Sequence, residues 1–191
     1  VYADRATHLG DPDFYDVPVA YLTDKALNQA RMSKVNLQKA TPSDQVKASK
    51  FPGYESEETT HFCIVDKEGN AVSLTTTLNG SYGAGVWVDG AGFLLNNEMD
   101  DFSVKPGTPN LYGLLGGKAN AVEPGKRMLS AMSPTIVEEN GKLKMVIGTP
   151  GGSTIITSVF QGILNVLEFD MDAQASVSSP RFHHQWKPDR I

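Results

Sequence analysis

The sequence contains only one cysteine among its 191 residues, so it cannot form a disulfide within the chain. A disulfide-stapled secreted scaffold is therefore excluded, and oxidising and reducing compartments both remain compatible with the composition. No apolar run reaches the ~20 residues that a membrane-spanning helix requires, because polar side chains interrupt the longest candidate, near Ile155–Leu167. This part of the chain is not expected to span a bilayer.

A cluster of basic residues is also lacking. The 17 Lys and Arg residues are scattered along a chain whose formal net charge is −5. Nucleic-acid binding requires a concentrated basic face, so no nucleic-acid partner is expected. The length and the 40% hydrophobic content are those of a domain with one good core. Because the chain starts at Val1, with no initiator Met or visible signal peptide, we expect a fragment of a longer precursor.

The N-terminal part offers few periodic patterns. Residues 1–17 are rich in Asp, Gly, Pro and aromatics without a helical or strand period, which predicts an irregular packed segment. Thr23 can cap a helix from Asp24 to about Lys34. Residues 40–58 contain two prolines and many polar side chains but almost no apolar pattern. This composition predicts a flexible, exposed linker that is open to cleavage.

The pattern changes at Thr59, where β-rich runs begin. Two hairpins are predicted from alternating runs and turn signals: 61–65 with 71–77, starting at the Thr59-Thr60 pair, and 135–137 with 143–148, joined at Asn140-Gly141. Ser153 can cap an apolar-periodic helix over 155–167, and a further helix is expected over 172–177. The glycine- and proline-containing stretch 98–128 is long enough to predict a binding loop. Antiparallel hairpins with packed helices indicate an α+β fold.

Thr59 stands where a linker meets a strand, and this placement has a chemical meaning. A hydroxyl is a weak nucleophile unless a base removes its proton. A threonine released by cleavage can use its own α-amino group, whose pKa of ~7.7–8 makes it a base near neutral pH. On placement alone, however, ordinary strand propensity is the better explanation of a Thr-Thr pair at the start of a strand.

Five motifs then occur in a characteristic order and spacing. They are TTHFCIVDKEGNAVSLTTTLN, LLNNEMDDFSVKPGTPNLYGL, KRMLSAMSPTIV, GTPGGSTIITSVFQ and PRFHHQW. This series resembles the small subunit of the γ-glutamyltransferases, and the upstream YADR and LGDPDF segments resemble the end of that family's large subunit. The resemblance implies a large-subunit end with linker at 1–58 and a small-subunit region at 59–191. The implied fold is a four-layer αββα sandwich of the N-terminal-nucleophile (Ntn) hydrolase type with antiparallel sheets, in which the two regions form one domain.

The resemblance also implies the chemistry. The precursor would cut itself between Glu58 and Thr59, and Thr59 would then be the nucleophile. It would take the γ-glutamyl group from glutathione or a related amide and pass it to water, an amino acid or a peptide. Thr77 matches the threonine that orients the nucleophile, and Gly151 with Gly152 match the oxyanion hole.

Donor recognition is implied at four further positions, Asn79, Glu98, Asp101 and Ser130. Carboxylates suit an ammonium group, while amide and hydroxyl donors suit a carboxylate. The chain departs from a common family pattern at Ala131, where many members carry a second serine. The main arginine for the donor carboxylate would lie in the large subunit, outside this chain. Tyr112 matches the aromatic residue of a lid loop, although a plain surface loop fits the same composition.

Other interpretations remain at several positions. His61, His183 and His184 could suggest a metal, but they lack a recognised ligand spacing, and the resemblance implies no metal or cofactor. Cys63 is interpreted as a buried core thiol. An acylase acting on another amide, such as a cephalosporin side chain, and a non-catalytic assembly or binding fragment are the alternative functions. The resemblance implies a periplasmic or extracellular enzyme whose partners are the rest of the large subunit, γ-glutamyl donors and amine acceptors.

Overall fold

The computed structural model describes residues 1–46 and 59–191. Residues 47–58 of the predicted linker, including Glu58, therefore lie outside the described residues. The described chain divides into two compact units, one of residues 1–46, 99–129 and 184–190, and the other of 59–98, 130–183 and Ile191. Helices and antiparallel strand pairs are both present, which confirms the α+β class.

The first unit contains three short helices: α1, Tyr2–His8; α2, Val19–Thr23; and α3, Lys25–Met32. The prediction that residues 1–17 are irregular is wrong for α1, which has no apolar period and is defined by burial of Tyr2 and Arg5 on one side. The predicted helix near residue 24 is confirmed as α3. Its N-cap is Asp24, whose carboxylate accepts from the Leu27 N–H at 2.6 Å, and not Thr23, whose hydroxyl donates to the Val19 carbonyl.

The long loop supplies most of the core of the first unit. The segment 99–129 is largely irregular, with a short 3₁₀ turn over Lys118–Asn120, and it buries Phe102, Tyr112, Leu114, Leu115 and Ala119. A loop of this length keeps its shape when it packs its own side chains. Near the end of this segment Arg127 forms an ion pair with Asp11, in which Arg127 Nη2 lies 2.6 Å from Asp11 Oδ1. This ion pair holds the pKa of the Asp11 carboxyl well below its ordinary value.

The segment 184–190 is fastened to residues near position 45. The Trp186 indole Nε1–H donates to the Val46 carbonyl at 2.7 Å, and the Asp189 carboxylate accepts from the Ser43 N–H at 2.9 Å. His184 Nε2 also lies 3.2 Å from Asp189 Oδ1. The bonds from Ser43, followed by the contact with His184, lower the pKa of Asp189 to about 2.

The second unit is built on strand pairs. Within the described residues these are β1 with β2 (Thr59–Val65 and Ala71–Thr77), β3 with β4 (Trp87–Val88 and Phe93–Leu94) and β5 with β6 (Thr135–Glu139 and Lys142–Ile147). All three pairs are antiparallel. The two predicted hairpins are confirmed, whereas the short β3–β4 pair was not predicted because two-residue strands carry no period.

Two contacts join the hairpins of the second unit. The Ser73 hydroxyl on β2 donates to the Ile147 carbonyl on β6 at 3.2 Å. The imidazole of His61 on β1 lies directly against the backbone of Gly148, where even a methyl group would overlap the ring. The absence of a side chain at Gly148 is therefore what lets the end of β6 approach β1.

Helices α4, Ile155–Leu167, and α5, Ala173–Ser178, complete the second unit. Both were predicted, but α4 begins differently: a 3₁₀ turn over Gly152–Thr154 leads into it, and its N-cap is Thr154 instead of Ser153. At α5 the cap is Asp172, whose carboxylate accepts from the Ala175 N–H at 2.7 Å. The two helices meet where the Ser176 hydroxyl donates to the Gly162 carbonyl at 3.1 Å.

Replacing Asp189 by asparagine should give a stability loss that depends on pH. The folded-state pKa of about 2 lies below the ~3.9 of a free aspartate, so the carboxylate stabilises the folded state above pH ~4 and loses this effect as pH falls toward 2. Urea unfolding of the wild type and Asp189→Asn should therefore differ at pH 7 and converge in acid. A difference that is constant across this range would contradict the ion-linked contribution.

The Gly148 approach can be tested by a double-mutant cycle. Gly148→Ala should lower the free energy of unfolding by about 1–3 kcal/mol because the new methyl group overlaps the imidazole of His61. The same change made in a His61→Ala background should cost clearly less, since the overlapping ring is gone. Equal costs in the two backgrounds would show that the contact does not limit the approach of the strands.

Candidate active site

The register of the first hairpin places Thr59 directly opposite Thr77. Thr59 begins β1 and Thr77 ends β2, so both lie at the end of the hairpin that is open, away from the turn. Both are half-buried and occupy the same face, because side chains alternate along each strand. Cross-strand partners have Cβ atoms about 4.5–5.5 Å apart, which brings the two hydroxyls into one neighbourhood.

An open depression of about 360 Å³ lies at this end of the hairpin. It is lined by Thr59, Thr60, Thr76, Thr77, Leu78, Gly80 and Ser81. Hydroxyl groups dominate the lining, and each can act as donor and acceptor. The depression therefore offers a polar setting for a reacting carbonyl next to Thr59.

The turn after β2 links Thr77 to a second segment. The Asn79 N–H donates to the Thr77 hydroxyl oxygen at 2.9 Å, and the Asn79 side-chain amide donates to the Asn97 carbonyl at 3.3 Å. The side-chain Oδ1 of Asn97 accepts a second bond from this turn, from the Gly80 N–H at 2.8 Å. Asn79 is almost fully buried and has a φ of 75°, a left-handed conformation that asparagine tolerates well.

Glu98 follows Asn97 and is thereby placed near Asn79. Its backbone N–H donates to the Asn96 side-chain oxygen at 3.0 Å, which fixes the start of a 3₁₀ turn over Glu98–Asp101. The Glu98 side chain is half-buried, and this burial raises the pKa of its carboxyl above the ordinary value. Asn97 was missed from sequence, although its position in an Asn-Asn pair before the acidic turn was a usable signal.

The loop that follows β6 carries the glycine pair. Gly151 and Gly152 have φ values of 130° and 53°, which residues other than glycine adopt only with strain. The Gly151 carbonyl accepts from the Thr154 N–H at 3.0 Å and from the Thr154 hydroxyl at 2.6 Å. The loop leads through Gly152–Thr154 into α4, so its N–H groups lie at the positive end of a 13-residue helix.

His61 connects β1 with the start of this loop and was given too little weight from sequence. Its Nδ1 lies 2.8 Å from the Thr75 hydroxyl, its Nε2 lies 3.0 Å from the Cys63 thiol, and its ring packs on Gly148. The interpretation of Cys63 as a buried core thiol is wrong, because the described chain leaves it exposed. The spacing of Thr59, His61 and Cys63 along one strand face was the available signal.

The remaining predicted site residues are placed as follows. Ser130 is half-buried in the second unit, and its hydroxyl accepts from the Met132 N–H at 3.0 Å. Asp101 and Tyr112 belong to the first unit. The Asn110 side chain contacts Asp101 Oδ1 at 3.5 Å, and the Gln185 side chain donates to the Tyr112 carbonyl at 3.0 Å. Tyr112 is buried in the core of that unit, and its lid role stays a prediction.

In the two described ranges, no group of three or more His, Cys, Asp and Glu side chains is arranged to hold a metal ion. Of the helices in the part of the chain that the structure describes, none is both long and apolar enough to cross a membrane.

Curated relatives align with nearly the whole chain. Identity is 52% over 190 residues to the "Glutathione hydrolase proenzyme" of Escherichia coli K12 and 55% over 188 residues to the protein of that name from Pseudomonas aeruginosa PAO1. These alignments cover 100% and 98% of this chain but 33% of each relative, so the chain spans about one third of their length. A shorter relative, "Putative inactive glutathione hydrolase 4" of Arabidopsis thaliana, is 38% identical, with 96% of this chain and 97% of that protein covered.

Solved structures are similar as well. A T380A mutant of Helicobacter pylori gamma-glutamyltranspeptidase superposes with a TM-score of 0.65 at 62% identity, over 66% of this chain and 68% of that one. The enzyme from Pseudomonas nitroreducens complexed with L-DON gives 0.64 at 60% identity, over 65% of each chain. The pattern of the family described as gamma-glutamyltranspeptidase matches residues 1–191. The chain therefore belongs to the gamma-glutamyltranspeptidase family.

Proposed function

We propose that this chain carries the nucleophile of a self-processing γ-glutamyltransferase and glutathione hydrolase. The observation that carries the proposal is the pairing of Thr59 with Thr77 at the open end of the first hairpin, in a chain of this family. The reaction is transfer of a γ-glutamyl group from glutathione or a related amide to an amino acid, a peptide or water. It requires no cofactor or metal.

Maturation begins at the Glu58–Thr59 bond. The Thr59 hydroxyl adds to the Glu58 carbonyl carbon, the C–N bond breaks, and the acyl group moves from nitrogen to oxygen to form an ester. Water then hydrolyses the ester, leaving a carboxylate on Glu58 and a free α-amino group on Thr59. In this proposal the Thr77 hydroxyl orients the Thr59 oxygen, and the Asn79 N–H in turn fixes the Thr77 oxygen.

Turnover uses the same Thr59 oxygen, and the base is the α-amino group that cleavage has set free. The α-amino group takes the proton as the Thr59 oxygen attacks the donor's γ-carbonyl, and the amide nitrogen leaves with a proton. A γ-glutamyl ester on Thr59 remains, and an amine or water releases it. The N–H groups of Gly151 and Gly152, at the start of the turn that leads into α4, are proposed to stabilise the oxyanion of both tetrahedral intermediates.

The glutamyl group of the donor is proposed to be recognised through its α-amino and α-carboxylate groups. Glu98 and Asp101 bind the ammonium as carboxylates, while Asn79 and Ser130 supply an amide and a hydroxyl. The bonds from Asn79 to Thr77 and Asn97 support this, because they connect the recognition segment with the nucleophile's partner. Ala131 offers no second hydroxyl, so carboxylate binding depends more strongly on Ser130. Tyr112 is proposed as the shielding residue of a lid.

The finer fold, a four-layer αββα sandwich of the Ntn type, is part of the same proposal. The outward face of the first hairpin carries two apolar cross-strand pairs, Phe62 with Leu74 and Ile64 with Val72, and all four side chains are exposed. A two-stranded hairpin with an uncovered apolar face is marginally stable in water. This face supports packing against further strands, which the remainder of the large subunit would supply.

The proposal has two alternatives. An acylase on another amide would use the same threonine chemistry but would not need the carboxylates of Glu98 and Asp101. A non-catalytic role is suggested by the Arabidopsis relative of similar length, which is named putatively inactive. We further propose, from the family resemblance, that the mature protein works in the periplasm or outside the cell.

Processing and turnover can be tested together in the full-length gene product. Thr59→Ala should leave the precursor uncut by intact mass and should abolish release of p-nitroaniline from γ-glutamyl-p-nitroanilide, by at least ~10³-fold, because the nucleophile is missing. Thr23→Ala is the control: Thr23 is exposed, its hydroxyl donates to the Val19 carbonyl, and it does not line the depression at Thr59, so this variant should cut and turn over normally. A folded wild-type precursor that stays uncut and inert would refute the proposed function, and activity restricted to non-glutamyl amides would favour the acylase.

The proposed role of Glu98 predicts a particular pH dependence. Glu98→Gln should lower kcat/KM for the γ-glutamyl donor about tenfold near pH 8, because a carboxylate partner of the ammonium is lost. Burial raises the pKa of Glu98, so the wild-type carboxylate becomes protonated at a higher pH than the ~4.3 of a free glutamate. The ratio of wild-type to variant kcat/KM should therefore shrink as pH falls, and this decrease should set in at a higher pH than the pKa of a free glutamate would give. A ratio independent of pH would argue against a charged Glu98 in donor binding.

A further inference from the structure

Asn120 cross-links two separate segments of the first unit. It ends the 3₁₀ turn Lys118–Asn120 and is only 4% exposed. Its side-chain Nδ2 donates to the Asp101 carbonyl at 2.7 Å, and its Oδ1 accepts from the Leu129 N–H at 3.0 Å. Its backbone carbonyl also accepts from the Ser103 N–H at 2.8 Å. A single buried residue thus holds the backbone at residues 101 and 129 through its side-chain amide and at residue 103 through its own carbonyl.

One of the held segments carries a residue assigned to donor recognition. Asp101 is one of the proposed ligands of the donor's ammonium group, and the bond from Asn120 reaches its backbone carbonyl. We propose that Asn120 is a positioning residue that fixes Asp101 and thereby sets selectivity for a donor that carries the α-ammonium group. This inference rests on the proposed function and adds the element that makes its donor site selective.

Asparagine suits this role because its short side chain carries a donor and an acceptor on one rigid plane. Alanine would remove both bonds and leave the Asp101 carbonyl and the Leu129 N–H without their partner. An aspartate could accept from Leu129 but, when ionised, could not donate to Asp101. Asn120 therefore satisfies two opposite backbone demands with one buried group.

Close packing between Gly10 and the Lys118–Asn120 turn restricts the movement of Asn120. Gly10 lies so near the Ala119 carbonyl that a methyl group at position 10 would overlap it, and the Asn120 nitrogen would lie 3.3 Å from that methyl group. The neighbouring Asp11 is fixed by its ion pair with Arg127. These contacts restrict the movement of the Lys118–Asn120 turn. The Asn120 amide can therefore hold residues 101 and 129 in fixed positions.

The test compares three anilide donors in the full-length gene product: γ-glutamyl-p-nitroanilide, glutaryl-p-nitroanilide, which lacks the α-amino group, and 4-aminobutyryl-p-nitroanilide, which lacks the α-carboxylate. In Asn120→Ala, kcat/KM should fall about tenfold, mainly through KM, for the two donors that carry the ammonium group, the complete donor and the 4-aminobutyryl donor, while the value for the glutaryl donor changes little. Discrimination against the glutaryl donor should then fall by the same factor, and discrimination against the 4-aminobutyryl donor should stay unchanged. Equal losses for all three donors would show a merely structural role and overturn the proposal.

Asn165→Ala is the matched control, because the Asn165 amide donates to the Ser176 carbonyl at 3.2 Å and lies outside the proposed site. It should leave the discrimination ratios unchanged. A ratio of two kcat/KM values is independent of the folded fraction, so it remains interpretable if folding is partial. If Asn120→Ala yields no soluble enzyme, Asn120→Ser is measured instead, and an unchanged ratio against the glutaryl donor there overturns the inference.

The failure of this inference is distinguishable from failure of the proposed function. If the wild-type protein releases p-nitroaniline from none of the three donors, the proposed function itself fails. If the wild type prefers the complete donor over the glutaryl donor and Asn120→Ala keeps the same preference, only the positioning role fails. A double variant with Asp101→Asn should show no further loss of discrimination against the glutaryl donor, because Asn120 acts there through Asp101.

Discussion

Antiparallel pairing between β1 and β2 is the constraint on which the candidate site depends. The register fixes Thr59 opposite Thr77, and a slip of one residue would send Thr59 to the other face of the hairpin. The turn at the closed end maintains this register, because the Asp66 carboxylate accepts from the Glu68 and Asn70 N–H groups at 2.9 and 2.8 Å. A turn at one end of the hairpin therefore controls the position of Thr59, the proposed nucleophile, at the other end.

Local signals predicted much of this framework. The hairpins were visible because alternating runs and an Asn-Gly turn are encoded within a few neighbouring residues, and α4 was visible from its apolar period. Helix α1 was missed because burial of Tyr2 and Arg5, not a local pattern, defines it. Thr59 could be singled out only through the family motifs, since a threonine pair at the start of a strand is ordinary β-propensity.

Long-range contacts account for the remaining gaps. Gly148, which lies against the His61 ring, is 87 positions later in the sequence. This contact of His61 is therefore visible only in the folded chain. Asn120 looks like an ordinary loop residue in the sequence, yet its amide bonds reach positions 101 and 129. Cys63 was assigned to a core because apolar residues surround it in sequence, but the described residues leave it exposed, although it shares a strand face with the half-buried Thr59 and His61. Such contacts depend on tertiary structure and cannot be read from residue patterns.

In the proposed function, reactivity and selectivity rest on different parts of the structure. The proposed reactivity depends on strand register, with the Asn79 N–H holding the Thr77 oxygen opposite the strand of the proposed nucleophile. The proposed selectivity depends on an irregular loop whose shape is kept by buried side chains and by the amide of Asn120. A loop without a repeating hydrogen-bond ladder can change its recognition groups while the hairpin stays intact. Under this proposal, substitutions in the loop alter which amide is accepted while the hairpin keeps the threonine chemistry.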